Sequence, residues 1–170
     1  MTTAATSSRR QLGTALSLGE WAVTADRDAV LTCVGLGSCI GIVMFDPIAR
    51  VGAMGHMVLP DSSAARSAPV GAKFVDIAVP LLLGALSAAG AETRRLKIYL
   101  AGGAQVLQSA GGNTLNIGER NAEAAHQRLA ALGLTVTGED LGGSKGRTMR
   151  LTLATGRVTV AASGSAESEL

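Results

Sequence analysis

Two residue types in the segment 34–46 could do chemistry, and they point to different kinds of site. The segment reads VGLGSCIGIVMFD. Its Gly35-x-Gly37 spacing is typical of a turn that cradles a phosphate, whereas Cys39 could act as a nucleophile. The residues around the segment decide between these two interpretations.

The phosphate interpretation fails on the residues that follow. A dinucleotide-binding loop needs a third glycine at a fixed spacing and then a helix, because the N-terminus of that helix attracts the pyrophosphate. Gly41 does not keep this spacing, and the apolar run after it predicts a strand. No Gly-Lys-Ser/Thr follows to form a Walker-type loop. We therefore expect no nucleotide and no other cofactor.

The nucleophile interpretation requires a base within hydrogen-bond reach of the thiol, and the chain has two histidines. His56 lies in the apolar segment GAMGHMVLP, which is expected to pair beside the strand after Cys39. His126 lies on a predicted helix and is expected to have a structural role at or near the surface. Cys39 and His56 form either a catalytic dyad or a buried apolar thiol and a hydrogen-bonded core histidine. With Cys33 they make three metal ligands without a CxxC pair, so no metal site is predicted.

Short strands and two helices must position these residues. The pattern predicts strands at 21–25, 29–34, 39–46, 51–60, 96–103, 134–140, 147–153 and 157–162. It predicts helices over 119–132 and from Phe74 through Leu86, with Gly90 placed to stop the latter. This order favours an α/β fold in which layered sheets carry helices on one side. We expect one domain over 13–162, with flexible polar segments at 1–12 and 163–170.

Composition limits the class of protein. The 170 residues are 47% hydrophobic and 16% charged, which is enough for a core without disulfides or metals. A net charge of +2 and 2% aromatic residues argue against nucleic-acid binding. The sequence has no secretory signal and no apolar run long enough to span a membrane, so we expect a cytoplasmic protein with free thiols.

The two site segments together resemble a known family. GLGSCIGIVMFDP followed by GAMGHMVLPDS is similar to the signature of the chemoreceptor glutamine deamidase CheD family, with the His seventeen residues after the Cys. The later blocks AGGAQ, NIGERN and GEDLGGSKGR also match, so the resemblance runs from about residue 19 to 160.

This resemblance implies a cytoplasmic protein-glutamine glutaminase with a β-sandwich flanked by helices, related in fold to other cysteine deamidases. Its substrates would be methyl-accepting chemotaxis receptors, whose glutamine side chains it would hydrolyse to glutamate through a cysteine thioester. The chemotaxis phosphatase CheC would be a binding partner. The resemblance makes Cys39 the nucleophile and His56 the base.

One position departs from the family pattern. The family has a threonine six residues before the nucleophile, as third member of a triad, and this chain has Cys33 there. Thr32 is adjacent, but neighbouring residues in a strand point to opposite faces. We list Cys33, Thr32 and Ser38 as candidate supporting residues.

The expected mechanism places the dyad in a shallow, solvent-reachable groove. His56 as imidazolium would lower the pKa of the Cys39 thiol, and backbone N–H groups of Gly37 and Cys39 would hold the oxyanion. The alternative function is a non-catalytic adaptor that binds CheC or receptors, since the threonine is missing.

Overall fold

The computed structural model describes residues 12–63, 65–106 and 116–170, which form ten strands and two α-helices. The strands are β1 (Leu12–Leu16), β2 (Trp21–Thr24), β3 (Ala29–Leu36), β4 (Ile40–Asp46), β5 (Val51–Met57), β6 (Lys97–Gly102), β7 (Gly138–Leu141), β8 (Arg147–Thr152), β9 (Arg157–Ala162) and β10 (Ser168–Glu169). The helices are α1 (Val75–Ala88) and α2 (Ile117–Ala131), with a short 3₁₀ helix at Thr93–Arg95.

The strands form two five-stranded sheets. The first sheet has the order β1-β3-β8-β9-β10, and the second has the order β2-β5-β4-β6-β7. Pairing is parallel only between β1 and β3 and between β6 and β7 among these described strands. The order β2-β5-β4-β6 puts the strand after Cys39 directly beside the strand that carries His56.

The protein has two apolar layers, one between the second sheet and the helices and one between the two sheets. Successive side chains of β5 alternate between these layers. Ala53 and Met57 pack toward the helices, whereas Met54 belongs to the core between the two sheets. A side chain at Gly52 would lie 2.7 Å from Leu151 of the first sheet. The protein is therefore an α/β sandwich in which one sheet has a helical layer on its outer face, which confirms the predicted fold class.

The two helices form where the sequence predicted them. α1 buries one face, made of Val75, Ala78, Val79, Leu82 and Leu86, against the second sheet. It runs through Pro80, and Gly90 follows it with a φ of 93°. Asn116 is the N-cap of α2, and its side chain accepts a hydrogen bond from the Glu119 N–H at 3.1 Å. This N-cap satisfies one of the free backbone donors of the first turn.

A buried ion pair fixes the end of β4. Asp46 is fully buried, and its carboxylate lies 2.9 Å from the guanidinium of Arg95. It also accepts hydrogen bonds from the N–H groups of Ile48, Ala49 and Glu92 at 2.8–3.0 Å. Burial by itself raises the pKa of this carboxyl, but the Arg95 pair and the three N–H donors outweigh burial and hold the pKa well below its usual range.

The structure differs from the sequence prediction at three places. β1 was not predicted as a strand, and the segment 1–12 expected to be flexible lies outside the described residues up to residue 11. Residues 163–170, expected to be a flexible tail, contain β10, which pairs with β9. β7 was predicted from residue 134 but begins only at Gly138, where its pairing with Tyr99 of β6 starts.

Candidate active site

Cys39 ends a tight turn between β3 and β4, and that turn is held by the glycine-rich loop after β6. The carbonyl of Gly37 accepts a hydrogen bond from the Ala104 N–H at 2.7 Å, and the carbonyl of Cys39 accepts one from the Gly103 N–H at 2.8 Å. A side chain at Gly102 would collide with the Cys39 carbonyl oxygen. The glycine-rich loop after β6 therefore packs against the Cys39 turn.

The strand register brings His56 to the same end of the second sheet as Cys39. Gly41 of β4 pairs directly with His56 of β5 in antiparallel register. Cys39 lies two residues before Gly41, so it is a diagonal neighbour of His56 on one face of the sheet, where such Cα atoms are roughly 7–8 Å apart. His56 is thus on the strand adjacent to the Cys39 turn, as predicted.

The imidazole of His56 points into the core between the sheets, and one of its nitrogens is hydrogen-bonded. Its Nδ1 lies 3.1 Å from the carbonyl oxygen of Leu16, at the end of β1. Because a carbonyl oxygen can only accept, Nδ1 carries a proton, and in the neutral imidazole Nε2 therefore carries the lone pair. Nε2 is buried and has no hydrogen-bond partner among the described residues. The free nitrogen is therefore the one that can accept a proton.

Cys33 lies close to this arrangement but bonds elsewhere. Its thiol is 3.8 Å from the carbonyl oxygen of Gly55, the residue before His56. Cys33 pairs with Leu16 in the parallel β1–β3 register, so the thiol and the Leu16 carbonyl approach His56 from neighbouring strands. Cys33 therefore packs beside the site, and the imidazole donates its hydrogen bond to a carbonyl of β1 instead.

Two of the candidate supporting residues do not serve as expected. Thr32 alternates with Cys33 along β3 and is partly exposed on the outer face of the first sheet, so it does not face His56. The Gly37 N–H donates to the Gly35 carbonyl at 2.9 Å, which removes it as an oxyanion donor. Ser38 contributes through its backbone carbonyl, which accepts a hydrogen bond from Asn121 at 2.9 Å.

The prediction that Cys39 and His56 lie in an open groove is wrong, because both side chains are buried. Cys39 is 8% exposed and His56 is 2% exposed, whereas Cys33 is fully buried. Burial raises the pKa of the Cys39 thiol, and hydrogen bonding from its own backbone N–H only partly opposes that effect. Burial also raises the pKa of Cys33 to about 12, with a smaller contribution from Cys39. The predicted lowering of the Cys39 pKa is therefore wrong.

The raised pKa changes the chemistry that the pair can perform. A thiol with a raised pKa is protonated at neutral pH, so it is a nucleophile only if a base removes the proton during attack. His56 Nε2 has no hydrogen-bond partner among the described residues, and His56 lies on the same face of the sheet as Cys39. The arrangement therefore suits general-base activation of a thiol better than a preformed thiolate–imidazolium pair.

The remaining sequence candidates lie elsewhere or form no site. His126 is partly exposed on α2, and its Nε2 lies 2.6 Å from the Glu139 carboxylate, so it has the surface role that was predicted. Over residues 12–63, 65–106 and 116–170, no three His, Cys, Asp or Glu side chains are grouped so that they could hold a metal ion. None of the helices that the structure describes is long and apolar enough to cross a membrane.

Sequence reasoning missed the Leu16 carbonyl as the partner of His56. A backbone carbonyl has no sequence signature, and β1 has only one strongly apolar, buried position in its described part. The signal available was the short segment before Trp21, which lies inside the predicted domain but for which no strand was predicted.

The fold and site define a two-sheet α/β protein with a cysteine and a histidine at the same end of one sheet. A family model described as CheD chemotactic sensory transduction matches residues 58–162. The probable chemoreceptor glutamine deamidase CheD of Symbiobacterium thermophilum is 48% identical over 92% of this chain and 96% of its own length. The chemoreceptor glutamine deamidase CheD of Thermotoga maritima is 39% identical over 89% of this chain and 93% of its own. The chain belongs to the CheD family.

The extent of these matches bears on the site. The family-model match begins after His56, at residue 58. The alignment with the Symbiobacterium protein leaves 8% of this chain unaligned. This share is smaller than the part of the chain that precedes Cys39, so the alignment includes both Cys39 and His56. Among solved structures, a hypothetical protein YfiH from Bacillus licheniformis has a TM-score of 0.47 and 9% identity, covering 71% of this chain and 49% of that one.

Proposed function

We propose that this protein hydrolyses the side-chain amide of glutamines in chemoreceptors to glutamate, with Cys39 as nucleophile and His56 as general base. The observation that carries the proposal is the free, buried Nε2 of His56, on the strand paired with the one that follows Cys39. The names of the relatives, which are chemoreceptor glutamine deamidases, supply the substrate class.

The first half of the reaction forms a thioester. His56 Nε2 takes the proton of the Cys39 thiol as the sulfur attacks the carboxamide carbon of the glutamine. The Cys39 N–H stabilises the oxyanion that develops, because the Gly37 N–H already donates to the Gly35 carbonyl. The protonated imidazole then gives its proton to the departing ammonia, and the carbon–nitrogen bond breaks.

The second half releases glutamate. His56, neutral again, removes a proton from water as the water oxygen attacks the thioester carbon. The carbon–sulfur bond breaks and the thiolate regains the proton from His56. The hydrogen bond from Nδ1 to Leu16 keeps Nε2 as the proton-accepting nitrogen in both steps.

Exposure favours Cys39 over Cys33 as the nucleophile. Cys39 keeps an exposed fraction of 8%, whereas Cys33 has none. The pKa of Cys33 is raised to about 12, which makes it a poor source of thiolate. Cys33 therefore takes a supporting place beside the site and performs no covalent step.

The Leu16 carbonyl weakens the case for a non-catalytic adaptor. That alternative depended on the missing threonine, whose role would be to orient the histidine. In this chain the imidazole already has an orienting partner, so the replacement of that threonine by Cys33 does not leave His56 unsupported. The proposed role in chemotaxis includes binding to a CheC phosphatase and action in the cytoplasm.

Mass spectrometry of receptor cytoplasmic domains tests the proposal. Receptor fragments incubated with the wild-type protein are expected to gain the mass of amide-to-acid conversion at particular glutamines. Cys39→Ser and His56→Gln should each reduce this conversion to background, while Cys33→Ala, the matched cysteine control, should retain it. Conversion that continues in a folded Cys39→Ser variant would exclude the thioester mechanism.

A further inference from the structure

We infer that Asn121 of α2 is a positioning residue that sets the orientation of the Cys39 backbone N–H, the oxyanion donor of the proposed reaction. The inference rests on Cys39 being the nucleophile. Asn121 touches neither the thiol nor the imidazole in the contacts described above, so it acts through the backbone that carries them.

Asn121 joins the two strands of the site from the helical layer. Its side-chain Nδ2 donates to the carbonyl of Ser38 at 2.9 Å and to the carbonyl of Val58 at 2.9 Å. Ser38 immediately precedes Cys39, and Val58 lies two residues after His56. One amide group therefore connects the turn of the nucleophile with the end of the strand that carries the base.

The position of Asn121 indicates a specific role. The side chain is fully buried, and its Oδ1 has no hydrogen-bond partner among the described residues. Burying a polar atom without a partner is costly, and an apolar residue would pack against the core without that cost. Core stability alone does not explain an asparagine here, whereas its two donated hydrogen bonds do.

The hydrogen bond to Ser38 determines where the next N–H points. A trans peptide is planar, with its C=O and N–H on opposite sides, and the described residues contain no cis peptide. Because the Ser38 carbonyl is directed toward α2, the Cys39 N–H is directed away from it. The Cys39 side chain packs in the core between the sheets, on the side opposite to the helices.

The neighbouring hydrogen bonds support the same arrangement. The carbonyls of Gly37, Ser38 and Cys39 all accept hydrogen bonds, from Ala104, Asn121 and Gly103 respectively. Asn121 supplies the only one of the three that comes from a side chain. The Cys39 N–H also interacts with its own sulfur, where it opposes the effect of burial on the thiol pKa. Rotation of this peptide would affect both the thiolate and the oxyanion.

The test compares Asn121→Leu, which keeps the number and branching of the side-chain heavy atoms but has no donor, with the wild-type protein. We expect kcat for glutamine deamidation to fall on the order of 10²-fold, as for loss of one oxyanion donor, with KM changed only a few-fold. We also expect the pH profile of Cys39 alkylation by iodoacetamide, followed by peptide mass spectrometry, to move to higher pH.

A second variant gives a signature that a purely structural role would not produce. In Asn121→Asp the ionised carboxylate cannot donate, but the protonated acid can donate one hydrogen bond. The activity of Asn121→Asp relative to Asn121→Leu should therefore rise as the pH falls. If Asn121→Leu does not fold, Asn121→Ala, which is smaller and also has no side-chain donor, replaces it as the comparison.

Leu129→Ala is the control, because Leu129 is 1% exposed on the same helix, packs in the helix-side core and has an apolar side chain that can donate no hydrogen bond to Ser38 or Val58. It should lower the melting temperature and leave kcat of the folded enzyme within about twofold, since its site contacts are unchanged. Wild-type kcat and an unchanged alkylation profile in Asn121→Leu would overturn the inference, as would an equal loss of kcat in Leu129→Ala. Retained deamidation in Cys39→Ser would instead refute the proposed nucleophile, and the Cys39 alkylation profile would still report the role of Asn121.

Discussion

The carbonyl oxygen of Leu16 and the Nδ1 atom of His56 lie 3.1 Å apart, across the space between the two sheets. This contact joins the edge strand of the first sheet to the strand of the second sheet that carries the proposed base. It fixes the tautomer of the imidazole through a backbone carbonyl, without a second side chain. The first strand of the described fold therefore contributes directly to the site.

Removing β1 is expected to impair catalysis more than binding. A chain beginning at Ser17 lacks the Leu16 carbonyl, so the imidazole can turn or change tautomer, and kcat should fall by about 10-fold to 100-fold, as for loss of a partner that orients a ligating or catalytic histidine. A chain beginning at Leu12 keeps β1 and should retain wild-type kcat. Steady-state kinetics of both chains, with circular dichroism of each, decide the matter. Equal kcat for the two folded chains would contradict a role for this carbonyl.

Cys33 is expected to tolerate substitution. Its thiol makes only a long contact to the Gly55 carbonyl, so Cys33→Ala should keep kcat within several-fold and cost about 1–2 kcal/mol of unfolding free energy for the small cavity.

Cys33→Thr restores the family residue and provides a hydroxyl, a stronger donor than a thiol. Its kcat should match or exceed that of the wild-type protein. Ammonia release at fixed enzyme concentration measures both variants, and a well-folded Cys33→Ala variant without activity would show that Cys33 has more than a supporting place.

Much of the fold could be predicted from the sequence because local patterns dictate it. The apolar spacing of α1, the glycine that follows it and the alternation in β3 all signal their elements directly, and the structure has them where they were expected. β1 and β10 were not predicted because they are short edge strands. Their existence depends on pairing with β3 and β9, which no local pattern encodes.

The site divides in the same way. Cys39 and His56 were recognisable from residue type and spacing, and the register between β4 and β5 brings them to one end of the sheet. The partner of His56 could not be predicted, since it is a backbone carbonyl supplied by tertiary packing. The predicted direction of the Cys39 pKa shift was also wrong. The shift depends on the burial of the thiol, and the sequence did not indicate that both sheets would cover it.

The buried pair of Asp46 and Arg95 predicts how the protein responds to acid. The folded-state pKa of Asp46 is depressed, so its contribution to stability is present above the unfolded value of about 3.9 and is lost as the pH falls below it. Asp46→Asn should lower the unfolding free energy at pH 7 by on the order of 3 kcal/mol, because it removes the buried carboxylate that pairs with Arg95 and leaves the guanidinium paired with the more exposed Glu92 carboxylate. Urea unfolding from pH 7 to pH 3 measures this. If the difference in unfolding free energy between the wild-type protein and Asp46→Asn does not shrink below about pH 4, the ion pair is not its source.

The two cysteines should separate when their reactivity is followed against pH. Burial raises the pKa of Cys39, so in the native protein its alkylation should be slower at pH 7 than that of a free thiol, whose pKa is about 8.5, and should rise at higher pH. Cys33, with a pKa of about 12 and no exposed surface, should stay unlabelled wherever the fold survives.

Iodoacetamide labelling read by peptide mass spectrometry distinguishes the two positions, and the urea-unfolded chain, in which both thiols titrate near their ordinary value, is the control. Labelling of native Cys39 with a midpoint below that of the unfolded chain would mean that a preformed thiolate is present. His56 would then act on an ion pair and not on a neutral thiol, because the proton would already have left the sulfur before substrate arrived.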